Sequence, residues 1–173
     1  RATSGKKLKE YRRLTRRLAE HGTVETESLP ADGDVESWIS QFLELESRGW
    51  KGEAGTALAA HGHGAAFFSG VVRGAFARGQ LLMHRMTLDG VAIAMKCSFS
   101  SGRAGFAVKI AYDEKWAKFS PGFLLELWNV GSVLESGALD WMDSCAVPDH
   151  FMINRLWTER GRIGELVGRR EPR

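Results

Sequence analysis

The chain has 173 residues, a length that suits one domain. With 43% hydrophobic and 26% charged residues it is neither collagen-like nor a disordered tail, and no apolar run approaches the roughly 18 residues of a membrane-spanning helix. The net charge of +3 is unevenly laid out: residues 1–20 carry +6, residues 21–154 carry −6 and residues 155–173 carry +3. Cys97 and Cys145 form no CxxC pair, so the sequence predicts neither a disulfide framework nor a thiol redox centre, and a cytoplasmic setting fits. The chain opens on Arg1 and reads as the C-terminal half of a longer polypeptide. Residues 1–173 read as a single domain, with a leading basic helix over 1–20 and a core over 21–170.

Lys6 to Glu20 places Leu8, Tyr11, Leu14 and Leu18 at three- and four-residue steps, which predicts a helix with one apolar stripe and basic faces elsewhere. No aromatic platform or recognition helix lies near it in sequence, so a solvated basic face is expected and a nucleic-acid partner is not. Thr23 to Leu29 alternates like a strand. Asp32 and Asp34 then precede a helical run through Trp38, Ile39, Phe42, Leu43 and Leu45, and a second helix carries Phe67, Phe68, Val71, Val72 and Phe76 toward Gly79.

Leu81 to Leu88, Val91 to Phe99 and Ala104 to Tyr112 are three strand-like runs separated by Asp89-Gly90 and Ser101-Gly102, an antiparallel meander. Two-residue turns would pair 88 with 91 and 100 with 103. Leu82, His84, Met86, Leu88, Val91, Ile93, Met95, Cys97, Phe99, Ala104, Phe106, Val108, Ile110 and Tyr112 then share one apolar face. Arg85, Lys96 and Lys109 fall on the other, with Arg85, Ala94 and Lys109 in one row, which suits either an anionic ligand or a partly solvated face.

Ser120-Pro121-Gly122 opens the next helix: serine suits the N-cap, proline the first turn, and the N–H groups of Gly122, Phe123 and Leu124 are candidate anion donors. Leu139 to Ala146 reads as a strand, His150 to Arg160 as a helix and Ile163 to Val167 as a short last strand.

At this point the sequence resembles a known family. The order of elements, Glu46-Ser47-Arg48-Gly49-Trp50-Lys51-Gly52 followed by Gly55-Thr56-Ala57, Tyr112-Asp113 and Ser120-Pro121-Gly122 together resemble the acetyltransferase domain of the GNAT superfamily, in the branch related to cellulose-biosynthesis acetyltransferase-like and FemAB-like proteins. The resemblance implies an α/β (α+β) acyl-CoA N-acyltransferase fold: a mixed central sheet with an antiparallel meander, flanked by helices, whose central strands splay to admit the pantetheine arm. Acetyl- or acyl-coenzyme A would be the co-substrate, with no metal, and an amine of a small molecule, sugar or peptide the acceptor. The pyrophosphate would meet the Ser120–Leu124 helix start. The superfamily's Gln/Arg-x-x-Gly-x-Gly/Ala phosphate loop is absent, and Lys115-Trp116-Ala117-Lys118-Phe119-Ser120-Pro121-Gly122 stands in its place.

Cofactor-binding candidates are therefore Lys109, Ile110, Lys115, Lys118, Ser120, Gly122, Phe123 and Leu124. Tyr112 is a candidate acid for the departing thiolate, and Asp113 is a candidate to orient the amine or take its proton; both also suit the end of a strand and the start of a turn. His84 is either a weak candidate base or a satisfied core histidine. Trp50 and Lys51 between the first two core helices, and His150 and Asn154 four apart on the later helix, are candidate acceptor contacts, with packing and capping as the plain alternatives. His61 and His63 read as an exposed loop and not as a metal site. Two other functions stand beside the N-acyltransferase: a FemAB-like aminoacyl-tRNA-dependent transferase, in which the basic helix helps hold RNA, and a non-catalytic scaffold that pairs with a second copy or a companion GNAT-like half.

Overall fold

A computed structural model of the protein describes residues 5–48, 58, 63–147, 149–150, 153–157, 159 and 161. Trp50, Lys51, His61 and the expected strand Ile163–Val167 lie outside the described residues. Helix α1 (Gly5–Ala19) buries Tyr11 and Leu18 and leaves Arg12, Arg13, Arg16 and Arg17 exposed, as its stripe predicts. Strand β1 (Val24–Ser28) leads to α2 (Val35–Arg48), whose first turn is capped by Asp34 accepting from the Ser37 amide at 3.1 Å. Helix α3 (Gly64–Ala77) then packs Phe68 against Phe42 of α2, ring centroids 4.9 Å apart.

The meander consists of β2 (Leu81–Leu88), β3 (Val91–Ser101) and β4 (Ala104–Tyr112). Asp89 and Gly90 both take positive φ, 49° and 78°, the geometry of a tight two-residue hairpin turn. The Asp89 carboxylate also accepts from the Thr23 amide at 2.8 Å, which fixes the start of β1 beside that turn. A 3-10 helix (Glu114–Phe119), α4 (Pro121–Ser136), β5 (Trp141–Asp143) and α5 (Ile153–Leu156) complete the described elements. The sheet order is β1-β2-β3-β4-β5, antiparallel except for the parallel β4–β5 junction. Helices α1 and α4 cover one face, α2 and α3 the other, and each face has its own apolar cluster.

Two bulges correct the expectation of one continuous apolar face. Thr87 pairs with Ala92 but Met86 with Ala94, so Ile93 is an extra residue in β3. Ser98 pairs with Ala107 but Cys97 with Lys109, so Val108 is an extra residue in β4. An inserted residue reverses the facing of everything beyond it. Consecutive Ile93 and Ala94 therefore both join the α1/α4 cluster, while Met95, Cys97 and Phe99 turn to the α2/α3 face. The row of Arg85, Ala94 and Lys109 does not form: Arg85 stands opposite Met95, and Cys97 opposite Lys109. Arg85 and Lys109 sit on the α2 side, whereas Lys96 faces α4. The second turn is also shifted, to Gly102-Arg103, with Ser101 opposite Ala104.

Among the described residues the Leu139–Ala146 strand is confined to Trp141–Asp143, and the His150–Arg160 helix to Ile153–Leu156. No described helix is long and apolar enough to cross a membrane.

Candidate functional site

Strands β4 and β5 are hydrogen-bonded neighbours over three residue pairs only: Ala104–Trp141, Gly105–Met142 and Phe106–Asp143. Gly105 permits the contact, because a Cβ there would lie 2.7 Å from Leu139 Cδ1 and 3.0 Å from Met142 Cγ. Strand β5 ends at Asp143, opposite Phe106, while β4 runs on to Tyr112 past the bulge, where Val108 is 49% exposed.

The end of β4 is tied down. Asp113 donates its amide to Ile93 of β3 at 2.9 Å, and its carboxylate accepts from the Lys115 amide at 2.9 Å, capping the 3-10 helix. The turn-starting role of Asp113 is thus realised. Tyr112 is half-buried against the start of α4; a Cβ on Gly122 would lie 3.2 Å from its ring carbon Cδ1 and 3.7 Å from Ile110. Burial first, and the neighbouring Glu114 carboxylate second, hold the Tyr112 phenol above its ordinary pKa, so it carries its proton at neutral pH.

Ser120 departs from its expected role. It adopts φ 54°, ψ 52° between the 3-10 helix and α4, and its side chain makes no capping bond. The Leu124 amide donates to the Ser120 carbonyl at 3.0 Å, so Leu124 is the first residue inside the helical ladder and not a free donor. Gly122 and Phe123 retain first-turn positions, within a buried start where Phe123 meets the Tyr11 ring at 4.4 Å.

Lys115 and Lys118 are exposed, each over an aromatic ring: Trp116 at 5.2 Å and Phe119 at 4.9 Å. Lys109 is not brought to this end. It lies on the α2 face that it shares with Arg85, as the strand alternation predicts, and ion-pairs there with the buried Glu46 carboxylate. Arg85, on that same face, bonds Glu27 at 2.7 Å and Gln41 at 2.9 Å and covers Trp38.

His84 is a core histidine. Its Nδ1 lies 2.9 Å from Ser28 Oγ and its ring meets Trp128 edge-on. Burial, with the Lys96 ammonium second, pulls its pKa down to about 4, so at neutral pH it is an uncharged and weak base. His150 caps the short helix α5, its Nδ1 accepting from the Ile153 amide at 3.3 Å, and Asn154 donates its amide to the His150 carbonyl. His63 is exposed, and no group of three or more metal-ligating side chains occurs among the described residues. Burial pushes the Cys97 thiol up to about 12, which removes it as a thiolate nucleophile.

One polar cluster escaped the sequence reading. Lys96 of β3 and Glu126 of α4 form a buried ion pair at 2.6 Å, 2% and 1% exposed. The other Glu126 oxygen accepts from Asn129 at 3.3 Å and from the Trp157 indole at 3.2 Å. The signal was a single carboxylate and a single amide inside the apolar helix run Phe123–Val130, with a single lysine inside β3.

A five-stranded mixed sheet with helices on both faces defines the fold as α/β. The model of the acetyltransferase (GNAT) domain matches residues 5–151, and the chain belongs to that family; it is an acetyltransferase domain. Solved structures agree in fold. An aminoglycoside acetyltransferase from an uncultured soil metagenomic sample, bound to trehalose, aligns with TM-score 0.57 at 12% identity, over 86% of this chain and 97% of its own. The enzyme AAC(6')-Iy in complex with a coenzyme A–acetylneamine bisubstrate analogue aligns with TM-score 0.58 at 12% identity, over 86% and 99%. AAC(6')-Ih from Acinetobacter baumannii gives 0.57 at 13%, over 86% and 100%. No curated protein sequence matches the chain. The family is thereby given, but the cellulose-biosynthesis and FemAB-like branch is not.

Proposed function

We propose that the protein transfers an acetyl or acyl group from coenzyme A to an amine of a small molecule, sugar or peptide. The observation that carries the reading is the seat of Tyr112, half-buried at the end of β4 beside the first turn of α4, where a Cβ on Gly122 would lie 3.2 Å from its ring. Neighbours that share the fold bind coenzyme A-derived ligands and aminoglycosides in their crystals, which supports a thioester donor and an amine acceptor.

In this reading the acceptor nitrogen forms a bond to the acyl carbon, the carbon–sulfur bond breaks, and the thiolate takes a proton. Tyr112, at the end of β4 and protonated at neutral pH, is the proposed proton donor. The chain's other contributions are positional. Asp113 fixes the end of β4 through its cap, and Gly122 leaves room for the Tyr112 ring at the helix start.

The test is release of free thiol from acetyl-coenzyme A in the presence of a panel of amines comprising aminoglycosides, amino sugars and N-terminal peptides. Amine-dependent thiol release supports the reading. No release with any amine, together with no binding of coenzyme A by calorimetry, favours the scaffold function instead.

A further inference from the structure

We propose that the outward face of α3 is a contact between two copies of this chain, packed antiparallel about a two-fold axis.

The argument starts from what α3 turns to water. Its inward stripe, Phe68, Ser69, Val72 and Ala75, is buried, and Phe68 and Val72 pack into the α2/α3 cluster. A helix docked on one side ordinarily carries charge on the other. Helix α3 does not: Gly64–Ala77 contains no carboxylate, and its one cation, Arg73, is turned aside to Glu36 of α2 at 2.5 Å. The outward face is instead Phe67, 74% exposed, and Val71, 37% exposed, beside Ala66, Gly70 and Gly74. With Arg78 these residues line one surface groove.

The face complements itself. Phe67 and Val71 stand four residues apart and form a ridge, while Ala66, Gly70 and Gly74, also four apart, form the groove beside it. A Cβ built on Gly70 would meet nothing within 4 Å, so the space above it is open. A ridge and a groove side by side on one surface are what an isologous two-fold contact requires. With the helices antiparallel and the axis between Gly70 and Val71, Phe67 of one copy stands opposite Gly74 of the other, and Val71 opposite Gly70. Each ridge then enters the other copy's groove. A parallel pair would set Phe67 against Phe67 and leave both grooves empty.

Arg78 supplies a charge complement to the incoming ring. Its Nη1 lies 3.3 Å from where a Cβ on Gly74 would stand, and its Nε donates to Gln80 Oε1 at 2.8 Å. The second copy's Phe67 ring, arriving at Gly74, meets this positioned guanidinium, and a cation favours an aromatic face over an aliphatic side chain.

The area sets the strength. At 74% exposure each Phe67 has roughly 110–180 Å² to bury, and two rings with their flanking residues make an interface at the small end for specific complexes, below about 1,200 Å². The dimer is therefore reversible, with a Kd in the micromolar range. The contact lies across the sheet from α4 and Tyr112, so association leaves the surroundings of Tyr112 untouched.

The experiment is sedimentation equilibrium of the full chain over about 5–300 µM, a range matched to a small reversible interface, on wild type, Gly70→Leu and Phe67→Ala. Wild type should follow a monomer–dimer equilibrium. Gly70→Leu fills the groove and Phe67→Ala removes the ridge, and each should weaken association at least about tenfold. Gly70→Leu also replaces a mid-helix glycine with a strong helix former in open space, so the thermal midpoint of its monomer should hold or rise. Loss of the dimer from an equally stable chain is a result that a merely structural role for α3 does not give. Wild type that stays monomeric throughout the range, or a dimer whose affinity neither substitution changes, overturns the proposal.

Discussion

Removing the Lys96 charge should destabilise the protein through the carboxylate it leaves behind. Lys96 and Glu126 are 2% and 1% exposed and bonded at 2.6 Å, so Lys96→Met strands a buried carboxylate whose remaining partners are Asn129 and the Trp157 indole. Breaking one side of a buried ion pair costs about 3–5 kcal/mol. At about 2–4 °C of melting temperature per kcal/mol for a chain of this size, the loss is about 6–20 °C. Lys96→Met combined with Glu126→Gln should recover most of it, since the glutamine oxygen still accepts from Asn129 and Trp157 and no charge is left buried. Thermal unfolding followed by circular dichroism on the two single variants and the double variant closes the cycle, with a coupling of at least about 2 kcal/mol expected. A Lys96→Met cost below about 1 kcal/mol, with no gain from the second substitution, would refute the claim that the pair is desolvated and mutually dependent.

Three further outcomes follow from the same geometry. Tyr112→Phe should lower kcat by about a hundredfold with coenzyme A affinity within about twofold, measured by thiol release; retained turnover removes the acid role. His84, neutral in the fold with a pKa of about 4 against an ordinary 6.5, stabilises the protein fully above pH 6.5. Below that the unfolded chain takes up the proton first, so up to about 3 kcal/mol is lost as the pH falls toward 4. Urea titrations across this range should show a shallower decline for His84→Gln than for wild type, and parallel curves contradict the assignment. Gly122→Ala places a Cβ 3.2 Å from the Tyr112 ring and should destabilise by about 1–3 kcal/mol while shifting that ring, read from urea midpoints and kcat; an unchanged midpoint means the helix start is looser than described.

Elements governed by local pattern were legible in the sequence. The α1 stripe, the α2 periodicity after Asp34, the Asp89-Gly90 hairpin and the proline start of α4 all fall where their residues place them. Pairing register was only partly legible, because nothing in Ala92-Ile93-Ala94 or Ala107-Val108-Lys109 distinguishes a bulged strand from a regular one. The β3 bulge reversed the facing of the residues beyond it, and that moved Lys96 from the face of Arg85 and Lys109 to Glu126 of α4. Asp113 and His150 each stand beside a helix start and accept from a backbone N–H there, the capping role that their positions in the sequence suggest. The Lys96–Glu126 pair was unreadable for another reason: it joins residues far apart in the chain, and no spacing rule links a lysine in β3 to a glutamate in α4.

Where the thioester lies decides whether Tyr112 can act as the proton donor. A crystal structure of the protein grown with coenzyme A should show its sulfur within reach of the Tyr112 hydroxyl, at the end of β4 beside the first turn of α4. Coenzyme A found against another surface, with its sulfur away from Tyr112, would contradict it.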